Sequence, residues 1–365
     1  MLKLSAVVFL AILLASQIFF TVKAEPTFDT GVSLSPKSYQ PSDFNGFFEK
    51  AKQTGNIISW AGDWDDLGAV DKAPEVMAEL ASTYGYVPLI EAQFFTQSTG
   101  QLLRPLNDTV KQSYKNSTIQ FASRFKPKYL ALGIEVNVLY EKSPTDFEDF
   151  AEFYDEAYDS VKGVSQATKV FTIFQLEKMK GLNGGLFGGE NDPAKAEWFL
   201  LDRFPKSDII AFTTYPGLIF KNSSEIPSDY YSEINAHTAK TIAFTEMGWH
   251  TAPTPVGWEG SEEKQADFVR LFFNYTENVN KEIVIWSFLY DQNVTMPFNS
   301  MGFIGTDGNP KPAWNVWVQL IIPEFPSFLI LPLITLFTVF VVIVHKKRSR
   351  ARSGDSQQTV RRNSA

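Results

Sequence analysis

"YLALGIEVN" (residues 129–137) is a short apolar run of Leu, Ala, Gly, Ile and Val with a carboxylate, Glu135, inside it. A run of this length and composition predicts a buried β-strand. An ionised carboxylate is costly to bury alone, so Glu135 needs a salt bridge, hydrogen bonds or a chemical task. Seven similar runs accompany it: "FDTGVSLS" (28–35), "NIISWAG" (56–62), "YVPLIEAQFF" (86–95), "KVFTIFQLE" (169–177), "DIIAFTTYP" (208–216), "TIAFTEMGW" (241–249) and "EIVIWSFLYD" (282–291). The segments between them have helical period, as in "TDFEDFAEFYDEAYDSVKG", which begins at Thr145 and spaces its aromatics three or four apart. "SDFNGFFEKAKQTG" opens on a Ser–Asp cap, and "KPAWNVWVQL" supplies the last helix. Near-continuous apolar strands separated by helices predict a parallel sheet covered on its outside, and eight strand–helix units match an α/β chain folded as a (β/α)8 TIM barrel. No GxGxxG follows any strand, which argues against a dinucleotide-binding sheet.

The two ends read differently. Residues 1–24 carry Lys3, the apolar "LSAVVFLAILLASQIFFTV" and a small residue, Ala24, at a cleavage point, the pattern of a secretory signal peptide. Near the other end, "FLILPLITLFTVFVVIV" (328–344) is long enough to cross a bilayer as one transmembrane helix. "HKKRSRAR" opens the tail 345–365, and its basic excess places that side in the cytoplasm. The expected organisation is a signal peptide (1–24), an extracellular barrel domain (25–320), a Pro-punctuated linker (321–327), a membrane span (328–344) and a basic cytoplasmic tail (345–365). The expectation is a single-pass cell-membrane protein with its N-terminal domain outside.

Charge agrees with that division. The chain carries −8, but seven basic residues against one acid in 346–365 and two lysines in 1–24 leave −16 on the remainder. So acidic a domain is a poor nucleic-acid partner. Zero cysteines exclude a disulfide scaffold, and three histidines leave little material for a zinc site, so neither metal nor cofactor is expected. Sequons at Asn107, Asn116, Asn222, Asn274 and Asn293 are compatible with glycosylation outside the membrane. The partners expected are a carbohydrate and the membrane, with a monomeric domain.

In a (β/α)8 barrel the active site lies at the C-terminal ends of the strands. The fourth run ends in Glu135 and Asn137, the fifth in Gln175 and Glu177, the sixth in Tyr215, the seventh in Glu246, and the eighth carries Trp286, Tyr290 and Asp291. Glu135 and Glu246 come from different parts of the rim and can face each other across a cleft. Glycosidic cleavage requires such a pair, one carboxyl protonated and the other ionised. Trp60, Trp64, Trp249, Trp258 and Trp286 lie at or just beyond strand ends, where an indole stacks on the C–H face of a sugar, although packing in the rim is an equal alternative. Glu91 on the third strand either pairs with a base inside the barrel or lines a sugar subsite. Asp63, Asp65 and Asp66 form an acidic loop suited to solvent, to hydroxyls or to a calcium ion, and His250 is a rim hydrogen-bonder or an ordinary surface residue.

These residues carry a resemblance. "LALGIEVN" is similar to the strand-four segment of the clan A, or 4/7, glycoside hydrolases, endo-β-1,4-galactanase-like members in particular; "AFTEMGWHT" resembles their strand-seven segment and "DIIAFTTYP" their strand-six segment. "GFIGTDGNPKPAW" (302–314) is similar to the closing segment of many barrel glycosidases, and "PEFP" before the span resembles the sorting-type C-termini of archaeal surface proteins. The resemblance implies a retaining glycosidase acting on β-linked poly- or oligosaccharides, with Glu135 as acid/base, Glu246 as nucleophile, Tyr215 as its hydrogen-bond partner and Trp286 as a sugar-stacking floor. The substrate contacts expected beside them are Asn137, Trp249, Trp60, Gln175 and Glu91. The chain departs from the clan at Ile134, where most members have Asn. Two other readings stay open: a non-catalytic carbohydrate-binding surface protein, and an adhesion protein using the barrel as a scaffold.

Overall fold

The computed structural model describes residues 28–321 and Phe340. Eight parallel strands form the barrel: β1 Asp29–Ser33, β2 Ile57–Asp63, β3 Val87–Gln93, β4 Tyr129–Leu132, β5 in two halves (Lys169–Phe171 and Ile173–Gln175), β6 Ile210–Thr214, β7 Ile242–Met247 and β8 Lys281–Trp286. The first half of β5 pairs with β4 and the second with β6, so the order β5-β4-β3-β2-β1-β8-β7-β6-β5 returns to its starting strand. This is the (β/α)8 barrel anticipated from the alternating runs, closed through a strand interrupted at Thr172.

Side-chain parity divides the core in two. Ile57, Leu89, Ala131, Ala211, Ala243 and Ile283 point to the barrel axis and form one cluster. Their neighbours Ile58, Ile90, Leu130, Phe212, Phe244 and Val284 belong to the larger layer between strands and helices. The longer helices are α1 Pro41–Ala51, α2 Ala73–Tyr84, α3 Asp108–Phe125, α4 Val136–Lys142, α5 Pro144–Val164, α6 Glu262–Tyr275 and α7 Pro312–Ile321, and a single helical turn, Leu176–Met179, follows β5. Their ends follow local chemistry: Asn107 caps α3 by accepting from the Val110 N–H at 3.0 Å, Ser261 caps α6 by accepting from the Lys264 N–H at 3.2 Å, and Gly85 closes α2 in the left-handed conformation.

Two expectations about elements need correction. After β5 and β6 the outer layer is built mainly from short 3-10 turns, including Trp198–Arg203 and Ser232–Ala236, in place of full helices. The fourth strand stops at Leu132, so Glu135 and Asn137 are not strand residues. Among the described residues no helix is long and apolar enough to cross a membrane; the signal peptide 1–24, the basic tail and, apart from Phe340, the proposed span 328–344 lie outside the described residues.

Candidate active site

Two backbone irregularities bring Glu135 and Glu246 to one cavity. Beyond β4 the chain turns sharply through Gly133 (φ 87°) and Glu135 (φ 55°) before entering α4. A Cβ at Gly133 would approach Val136, Phe150 and Phe94 within 3.0 Å, so this tight turn requires glycine twice over, by dihedral and by space. Glu135 itself occupies the left-handed region, a strained choice for a non-glycine residue that is characteristic of functional turns. On β7 the register with β6 slips between Phe244 and Glu246, a β-bulge that leaves two residues between the outward Phe244 and the outward Met247. Regular alternation would turn Glu246 away from the axis. The bulge re-aims it inward.

Each carboxylate is held by hydroxyl or amide donors. Glu135 Oε1 accepts from the Thr213 hydroxyl at 2.6 Å and from Gln175 Nε2 at 3.1 Å. Glu246 Oε2 accepts from the Tyr215 phenol at 2.7 Å, and the phenol oxygen lies 2.7 Å from Ser287 Oγ. Behind them Glu177, also buried, accepts from the Tyr215 N–H and from the Thr214 and Tyr230 hydroxyls, fixing the backbone that carries Tyr215.

Burial dominates the electrostatics. It raises the Glu135 carboxyl above its ordinary value, against the hydrogen bonds from Thr213 and Gln175 and the nearby charge of Lys178. Burial pushes Glu246 up to about 7; the Tyr215 hydrogen bond opposes this and the charge of Glu135 adds to it. Glu91 lies on β3 in register between Ala61 and Ala131, fully buried, with neither carboxyl oxygen hydrogen-bonded. Burial first, then the charge of Glu246, holds Glu91 well above the usual carboxylate range, and the nearby Ser59 hydroxyl opposes them. Among the described residues no basic partner meets it, so the salt bridge offered as one reading of Glu91 is not found there.

The cavity has a volume of about 390 Å3 and is lined by Ile134, Glu135, Gln175, Tyr215 and Glu246 together with Gln97, Leu186, Phe187, Leu218, Pro255, Val256, Phe288, Met296, Pro297 and Phe298. Glu135, Glu246, Tyr215 and Gln175 thus meet as the sequence reading anticipated. Five other expected contacts do not, the first being Glu91, which is fully buried on β3 and absent from the cavity lining. Asn137 sits in the first turn of α4, fully buried, where its amide exchanges two hydrogen bonds with the Gln175 backbone at 3.0 and 2.8 Å. It positions Gln175 and does not line the cavity. Trp286 follows Ile283 and Ile285, which face the axis, so it faces the helices, stacked on Phe303 at 4.5 Å with its indole N–H donating to the Met301 carbonyl. Phe288, two residues on, lines the cavity instead. Trp60 lies on the outward face of β2, and Trp249 is buried against Phe268 and His250.

The acidic loop is solvated, as one reading of it had it, and ion-paired as well: Asp65 is 51% exposed, and Arg104 spans Asp63 at 2.7 Å and Asp65 at 3.2 Å. His250 is fully buried and bonds the Ala252 carbonyl through Nδ1 at 2.8 Å. Sequence reasoning missed Thr213, although the alternation Ala211, Thr213, Tyr215 marks it as an inward residue. It had no signal for Phe187, Val256 or Met296, which reach the cavity from loops.

No family model and no curated protein matches the sequence. Solved structures match at the level of fold. A family 39 glycoside hydrolase from Bacteroides cellulosilyticus WH2 is 17% identical over 81% of this chain and 64% of its own, with a TM-score of 0.58. An exo-β-1,4-mannosidase from Opitutaceae bacterium strain TAV5 is 13% identical over 83% of this chain and 60% of its own, also with a TM-score of 0.58. A family 17 β-1,3-glucanosyltransferase from Rhizomucor miehei is 14% identical over 80% of this chain and 97% of its own, with a TM-score of 0.52. The chain spans less than two thirds of the length of the first two, and what it shares with all three is the (β/α)8 barrel on which these glycoside hydrolases are built.

Proposed function

We propose that the protein is a retaining glycoside hydrolase of β-linked sugars, with Glu135 as acid/base and Glu246 as nucleophile. The observation that carries this reading is the convergence of two carboxylates from β4 and β7, by a left-handed turn and a β-bulge, on one cavity. Glu246 attacks the anomeric carbon and forms a glycosyl ester while protonated Glu135 delivers its proton to the departing oxygen. Glu135 then takes a proton from water, whose oxygen displaces Glu246 and restores it as a carboxylate. Tyr215 holds Glu246 by hydrogen bond, and Thr213 and Gln175 hold Glu135. Among the described residues lining the cavity none is Lys, Arg or His, which fits a neutral sugar better than a uronic acid, although some structural neighbours are named as β-glucuronidases. The signal-like N-terminus and the apolar run 328–344 support a catalytic domain tethered outside the cell.

The test is hydrolysis of a panel of aryl β-glycosides and oligosaccharides by wild type, Glu246→Ala and Glu135→Ala. Glu246→Ala abolishes turnover, whereas Glu135→Ala spares substrates with good leaving groups and loses those with poor ones. Because Glu246 must be ionised and burial pushes it up to about 7, wild-type kcat/KM rises with pH through that region. Activity unchanged in both variants overturns the assignment. A second reading, carbohydrate binding without catalysis, rests on Ile134, which presents an apolar side chain to the cavity beside Glu135; saturable glycan binding with no turnover on any substrate would favour it.

A further inference from the structure

The cavity is asymmetric in chemistry. Its carboxylates pair with neighbouring polar groups, Glu135 with Gln175 and Glu246 with Tyr215, and Gln97 is the one further polar side chain among the described lining residues. Its outer wall, contributed by loops after β5, β7 and β8, consists of Leu186, Phe187, Val256, Phe288, Met296 and Phe298. Val256 and Met296 are 56% and 43% exposed, large apolar side chains held at the mouth of a site. None of the five tryptophans expected at strand ends lines this cavity.

We propose that this wall is an aglycone subsite, and that the leaving group of the natural substrate is an apolar chain or ring in place of a second sugar. The proposal rests on the glycosidase reading and names its substrate class. A sugar at this wall would bring several hydroxyls against side chains that offer no hydrogen bond, and each unpaired polar group carries a desolvation penalty. An alkyl or aryl aglycone instead covers Phe187, Val256, Phe288 and Met296 and removes exposed apolar surface from water. The scissile oxygen lies between the deep carboxylates and the wall, so the aglycone is the part that extends to the mouth. Glu135 protonates that oxygen, and an apolar alcohol departs.

The test is a series of methyl, butyl and octyl β-glycosides of glucose, galactose and mannose, with the matching disaccharides, assayed by release of free sugar from the intact protein. The expected result is a rise in kcat/KM of about two- to fourfold per methylene, the upper figure corresponding to a fully buried CH2. In the Val256→Asn/Met296→Gln double variant the octyl-to-methyl ratio of kcat/KM falls about tenfold. Turnover that is flat with chain length, or faster on disaccharides than on octyl glycosides, overturns the subsite and leaves the glycosidase reading standing. If nothing is turned over, binding of the same series by calorimetry decides: affinity rising with chain length supports the subsite while the glycosidase reading fails, and chain-length-independent affinity or no binding overturns both.

Discussion

Glu91 shows how a single residue can oppose stability. Its carboxyl is fully buried with no basic partner among the described residues, so the folded state keeps it protonated at pH values where the unfolded chain, with an ordinary value of 4.5, has released the proton. Above pH 4.5 the native state therefore binds more protons than the unfolded state, and stability falls by up to about 1.4 kcal/mol for each pH unit until the folded-state value is reached. Gln does not titrate. The stability difference between Glu91→Gln and wild type should grow by up to that amount per unit between pH 5 and pH 7, read from urea unfolding at each pH. A difference independent of pH would mean that Glu91 is ionised at an ordinary value in the folded protein. The sequence shows an acid on an apolar strand; only the fold shows that no base among the described residues comes to meet it.

At the scale of elements, the turn after β4 determines where Glu135 points. Gly133 combines φ 87° with crowding by Val136, Phe150 and Phe94, so Gly133→Ala must either strain the backbone or displace these side chains. The expected cost is about 1–3 kcal/mol in unfolding free energy, with loss of turnover as Glu135 moves from Thr213 and Gln175. Urea unfolding and hydrolysis of an aryl glycoside measure the two effects; an unchanged midpoint would show that the turn is not required. The strands themselves were legible, because their apolar runs are near-continuous. Their ends were not: "LALGIEVN" reads as one strand because Ile134, Val136 and Val138 suit a strand as well as a buried helix, and only the left-handed residues break it. The bulge on β7 has no signal in "AFTEMGW", since an extra inward residue changes parity without changing composition.

For the whole molecule, closure of the sheet converts eight local patterns into one rim where residues more than a hundred positions apart share a cavity. Glu135 and Glu246 meet only because β4 and β7 are held at fixed places around that circle. The sequence outside the barrel suggests a second layer of organisation, a tether. The full-length chain should sediment with membranes and resist carbonate extraction, whereas a chain ending at residue 320 should be released as a soluble domain. Recovery of the full-length chain in the soluble fraction would remove the tether from the proposal. The same fractions assayed on octyl glycosides would show whether the activity follows the membrane.

The sequence by itself determined the barrel, through eight apolar runs at regular spacing, and the pair of glutamates at two of their ends. It also marked Tyr215, because the run before it is legible to its last residue. Tertiary structure alone decided which aromatics reach the cavity, since inward or outward parity depends on the register of each strand. Thus Trp60, Trp249 and Trp286 pack away from the cavity, and Phe187, Phe288 and Phe298 line it. Composition and periodicity follow from local interactions along the chain, while a bulge, a left-handed turn and the convergence of loops are settled only when distant strands pair.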